Sequence, residues 1–145
     1  MTRSSLALLS DLAQEKRDAA GKRLGRSLAM LNDSQGRLAM LERYRDEYHR
    51  RYAAAGQGGV APGELRNFRQ FLERLDQAIA QQRAEMVARA RGVSESRSRY
   101  LEARLRGKSL DVLSGRAEDA ARQGEARRLQ KLVDEFAGRL ATVAR

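Results

Sequence analysis

Apolar residues recur along this chain at intervals of seven, in two sets separated by a break at residues 53–63. Before the break, Leu24, Leu31, Leu38 and Tyr52 keep heptad spacing, Arg45 fills the missing step, and Leu28, Leu41 and Tyr48 lie beside the line. After it, Leu65, Leu72, Ile79, Met86, Val93, Tyr100 and Gly107 fall seven apart. Phe68, Leu75, Gln82, Arg89, Ser96, Ala103 and Leu110 form the companion row. Seven residues are close to two helical turns, so each row stays on one face, and rows this long predict coiled coil. No stretch alternates with period two, so no sheet is expected.

The break, AAAGQGGVAPG, holds four of the twelve glycines and the only proline. Glycine is a poor helix former, while proline suits a first helical turn, where its missing N–H does no harm. The pattern therefore predicts an all-α fold. It is a long antiparallel two-helix coiled-coil hairpin with a C-terminal helical overhang, one unit over residues 1–145. Arm one covers about 5–54, the turn 53–63 and arm two about 62–143. Ser4 or Ser5 is placed to cap the first turn. Gly21 and Gly25 weaken the first third, each costing roughly 1 kcal/mol against alanine. Gln82, Arg89 and Ser96 put polar groups in the second seam, read here as register control or wetness, with a binding groove as the alternative.

Doubling back near residue 59 or 60 pairs positions whose numbers sum to about 119. Arm one is then roughly 75 Å long and arm two roughly 120 Å. Leu6 would face Leu113, and the chain from about 115 onward would have no partner arm. That overhang, roughly 45 Å long, carries its own stripe of Leu129, Leu132, Phe136, Leu140 and Val143, out of phase with the row that ends at Gly107. An apolar stripe without an intramolecular partner is expected to bind something. The same sum sets Tyr48 beside Phe71, Tyr44 beside Leu75 and Leu41 beside Ala78. Aromatic side chains held on rigid helices make good anchors for a partner.

Composition narrows the function. Hydrophobic residues make up 41% and charged residues 33%, with seven aromatics and no tryptophan, as suits a long helical chain rather than a compact core. Such a hairpin has almost no interior in which to enclose a catalytic site. The net charge of +10 comes from 25 arginines and 4 lysines against 19 acids. That raises nucleic acid or an anionic membrane as partners. The arginines are spread along the chain without a dense tract or a stacking platform, so no nucleic-acid partner is expected and acidic proteins are.

The absence of cysteine fits a reducing compartment and removes thiolate metal sites. No window approaches the ~18 apolar residues of a membrane span, so a cytoplasmic protein is expected, reaching the membrane only through partners. His49, the single histidine, has no nucleophile or orienting group in its sequence neighbourhood. The GKS in RLRGKSL (104–110) lacks the earlier glycine of a phosphate loop and follows no strand. No catalytic residue, metal ligand or cofactor site is expected, and the chain does not read as an enzyme.

Four segments in order, DLAQEKRDAAGKRLG, LAMLERYRDEY, NFRQFLERLDQAIAQQ and QKLVDEFAGR, resemble the FliJ family of the bacterial flagellar type III export apparatus. The resemblance runs through nearly the whole chain. It implies a coiled coil similar to the central stalk of rotary ATPases, with three kinds of partner. These are the export ATPase hexamer, the cytoplasmic part of the export gate membrane protein, and flagellar export chaperones. The implied gate-binding patch is Leu41, Tyr44, Tyr48, Phe71, Leu75 and Ala78. Arg37 and Gln82 depart from the family's usual glutamine and histidine at its edges. The implied ATPase-ring end comprises Leu129, Leu132, Phe136, Arg139 and Leu140. Two other readings fit the same residues, the stalk of a non-flagellar type III secretion system and a basic nucleic-acid-binding coiled coil. A rotary-ATPase gamma subunit fits less well, since the globular domain expected of one is missing.

Overall fold

The computed structural model describes residues 3–59 and 61–144, which form an all-α helical hairpin of α1 (Arg3–Gln57) and α2 (Pro62–Val143). Val60, inside the expected turn, lies outside the described residues. α1 is already helical at Arg3, so Ser4 and Ser5 sit within the helix rather than at its boundary. It also runs three residues beyond Ala54. At its end, the Gly58 amide donates to the Ala54 and Ala55 carbonyls, and Gly59 adopts φ +72°. A side chain at Gly59 would crowd the backbone in this left-handed conformation, which is why glycine serves there. The Ala61 carbonyl accepts from Glu64 and Leu65, with Pro62 in the first turn of α2. Glu64 places a negative charge where the helix dipole favours it.

Contacts divide the chain into two units, Ala20–Tyr100 and the combination of Met1–Ala19 with Leu101–Arg145. In the first of these, Leu72, Leu75, Ile79 and Val93 of α2 are buried in the seam, together with Ser34 of α1 and Ser96. Along α1, Leu24, Ser27, Leu31, Ser34, Leu38, Leu41, Arg45, Tyr48 and Tyr52 alternate at steps of three and four, and all are at least half-buried. The second α1 row therefore includes serines, which the apolar pattern passed over. Leu28, which the pattern placed beside the seam, is exposed.

The polar residues of the seam have partners across it. Ser27 and Ser96 hydroxyls lie 2.9 Å apart. The Gln82 amide donates to the Ser34 hydroxyl at 3.0 Å and to its carbonyl at 3.2 Å. Arg89 reaches the Met30 sulfur at 4.0 Å and Glu85 on its own helix. Arg45 Nε stands 2.6 Å from Asp76 Oδ1 as an ion pair whose N–H direction misses the oxygen. Pairs this exposed contribute little stability. The buried serines matter more, since a shift of either helix would strand both hydroxyls away from water. They hold the register. Gln82→Ala is expected to lower stability by about 1 kcal/mol, and Ser34→Ala with Gln82→Leu to recover most of that loss. Urea denaturation of the two variants checks both values. At the far end of the unit, Gly21 lies against the Tyr100 ring, where an added Cβ would approach within 3.4 Å.

In the other unit, Leu6, Ala13 and Gly107 are buried, and the Ser10 hydroxyl donates to Asp111 at 2.9 Å. Leu113, the expected neighbour of Leu6, is exposed. The half-buried positions instead continue past Gly107 at Leu110, Ser114, Ala117, Ala121 and Gly124, keeping steps of three and four. Serine, alanine and glycine are too small to register as an apolar row, so the sequence pattern ended early. From Glu125 to Ala144 every residue is exposed.

Candidate partner-binding surfaces

Beside the turn, Tyr48 is the centre of an aromatic cluster. Its ring centroid lies 4.3 Å from Phe71, 5.5 Å from Tyr44 in a stacked arrangement and 6.0 Å from Phe68. Tyr52 meets Phe68 edge-on at 6.3 Å. Helical spacing explains half of this geometry, because residues four apart on α1 lie one turn above each other. The hairpin explains the rest by bringing residues 68–71 alongside. Arg51, tethered to Glu47 at 2.9 Å, sits 5.6 Å from the Tyr48 ring centre, within cation–π range.

The six positions of the implied gate patch differ in what they can offer. Tyr44 is 50% exposed, while Leu41, Tyr48, Phe71 and Ala78 are half-buried. Leu75 is only 8% exposed and belongs to the seam. Tyr48, Phe68 and Phe71 also line an open hollow of about 330 Å³ with Glu64 and Asn67. Asn67 and Glu64 were not singled out from sequence, since neither falls in an apolar row. Gln82, at one edge of the patch, is turned towards Ser34, and Arg37 at the same end is exposed.

A second surface lies on α2 beyond Gly124. Leu129, Val133, Phe136, Leu140 and Val143 alternate at steps of four and three, and each is more than half exposed. Leu132 and Arg139 flank this line, and an open hollow of about 420 Å³ lies among Leu129, Leu132, Val133, Glu135, Phe136 and Arg139. Val133 belongs to this stripe although the sequence pattern passes over it, since its step of four from Leu129 is the one a seam requires. The rows ending at Ala121 and Gly124 would continue at Arg128 and Lys131. The apolar stripe falls one or two residues further on, at Leu129 and Val133, turned by roughly 100–200° around the helix.

Among the described residues no group of three His, Cys, Asp or Glu is placed to hold a metal ion. His49 is exposed. The GKS tripeptide lies inside α2 with Gly107 buried in the seam, so its amides face no phosphate. Among the described residues no helix is long and apolar enough to cross a membrane.

The family described as "Flagellar FliJ protein" matches residues 2–145. The flagellar FliJ protein of Salmonella typhi is 31% identical over 137 residues, covering 94% of this chain and 93% of the relative. That of Escherichia coli (strain K12) is 30% identical over 137 residues with the same coverage. The heptad rows, the single turn and the match from end to end make this chain a member of the flagellar FliJ family.

Proposed function

We propose that the protein is a non-enzymatic component of the flagellar type III export apparatus, acting as a stalk-like coiled coil. In this reading, the exposed stripe of α2 beyond Gly124 engages the export ATPase hexamer. The aromatic cluster beside the turn contacts the cytoplasmic part of the export gate, and export chaperones exchange on the same protein. It works in the cytoplasm and reaches the inner face of the cell membrane through these partners. The family match over residues 2–145 carries the proposal. The exposed apolar stripe beyond Gly124 and the exposed Tyr44 beside the turn support it, since apolar side chains left open to water suit a partner.

The gate contact is tested at Tyr44 rather than Leu75. Tyr44 can be truncated without opening the seam, so Tyr44→Ala is expected to weaken capture of the gate's cytoplasmic part about tenfold while helicity is unchanged. Calorimetric titration with the purified gate domain reads the affinity. Wild-type affinity in both Tyr44→Ala and Phe71→Ala would overturn the assignment of this surface.

A further inference from the structure

The positive charge of the unit Ala20–Tyr100 is concentrated in one band. This unit holds sixteen basic and nine acidic residues. Residues 20–32 of α1 include Lys22, Arg23 and Arg26 and no acid. Residues 86–100 of α2 include Arg89, Arg91, Arg97 and Arg99 against Glu95 alone. The two segments lie side by side, as the Gly21 contact with Tyr100 and the Ser27–Ser96 hydrogen bond show. Arg89 pairs with Glu85. None of the other six cations has a carboxylate within 4.0 Å among the described residues. Outside the band, the unit's nine cations are nearly balanced by eight acids. Six cations on two adjacent segments repel one another, and a negatively charged partner would relieve that repulsion.

Charge alone would suit a nucleic acid equally well. The band, however, also exposes Leu28, Met30 and Val87, the last at 49%. Val87 opens onto a hollow of about 470 Å³ lined by Met86, Ala90, Arg91, Ser94 and Glu95. A phosphate backbone gains nothing by covering these apolar side chains. Tyr100, the only aromatic of the band, is half-buried against Gly21 and offers no platform for a base. An acidic amphipathic helix uses both features, since its apolar face covers Val87 and its flanking carboxylates reach arginine. Val87, Arg91 and Ser94 share one face of α2 through their spacing of four and three. Glu95, at one side of the hollow, repels carboxylates there and turns them towards Arg91.

We propose that this band is a docking surface for an acidic amphipathic helix of another protein, separate from the aromatic cluster and from the stripe beyond Gly124. The test uses the full chain and three labelled probes, read by fluorescence anisotropy. One is a helical peptide of about three heptads with leucine at the seam positions and glutamate beside them. The second carries glutamine for each glutamate, and the third is a duplex DNA of similar length. The acidic peptide is expected to bind at least about tenfold more tightly than either of the others. Arg91→Glu with Arg97→Glu should remove about tenfold of that affinity, and Val87→Ser about threefold. Arg66→Glu with Arg69→Glu, outside the band, should leave it unchanged. All of these side chains are exposed, and circular dichroism verifies the fold. If charge reversal lowers helicity, Arg91→Gln with Arg97→Gln gives the same reading. The proposal is overturned by DNA binding as tight as the peptide with Val87→Ser silent, or by no acidic-peptide binding. Self-association of the chain that the arginine variants abolish would equally overturn it, by making a second copy the occupant.

Discussion

Removing residues 125–145 is expected to abolish stimulation of the export ATPase while leaving the remaining hairpin folded. Every described residue from Glu125 onward is exposed. The deleted segment therefore contributes almost no apolar burial to the rest of the chain, and burial is the main source of stability. The melting temperature should move by no more than about 2 °C, as expected when little stability is lost. The same deletion removes Leu129, Val133, Phe136, Leu140 and Val143, the whole apolar stripe. ATP hydrolysis by the purified ATPase, measured with full-length and shortened protein, separates the two effects. Full stimulation by the shortened chain would move the ATPase contact elsewhere. Stimulation lost together with the melting transition would show that the segment supports the fold.

Ile79→Ala should be the most destabilising single truncation of the seam. At 4% exposure, Ile79 is the most buried of the large hydrophobic side chains. Its replacement removes apolar contact and leaves a space that two packed helices can only partly close, costing about 2–4 kcal/mol. That is a large share of a typical stability of roughly 5–15 kcal/mol. Chemical denaturation with a fitted slope reads the loss, and a change under about 1 kcal/mol would contradict the packing described here. Leu75→Ala belongs to the same class, because Leu75 is nearly as buried. A loss of gate binding in that variant would report unfolding as readily as contact, which is why Tyr44 and Phe71 are the informative positions.

The hairpin was legible because its signals are local. Heptad rows identify helices, and the glycine-rich break before Pro62 identifies the reversal. The meeting of Tyr48 with Phe71 follows from counting back across that reversal. Other features escaped because they depend on size and on partners. Ser27 and Ser34 occupy seam positions that an apolar pattern skips, and only the opposing Ser96 and Gln82 explain them. The row through Ser114, Ala117, Ala121 and Gly124 is silent for a similar reason, since small side chains pack without standing out in hydropathy. Leu75 stands in the companion heptad row, and its burial agrees with that row rather than with an exposed place in the patch that the family resemblance implies. The charged band was hidden by averaging, because arginines spread evenly along a chain can still gather when two segments come side by side.

The left-handed backbone at Gly59 bears on how the chain could tolerate insertions and deletions. Alignment of the arms is held by Ser27 with Ser96 and by Gln82 with Ser34, at a distance from the bend itself. Lengthening the bend by a few residues costs only a slowly growing closure entropy. Deleting one residue between Leu72 and Val93 would instead rotate everything beyond it by about 100° and drive the next row into water. Length variation in this protein is thus cheap at one point and prohibitive almost everywhere else along the paired arms.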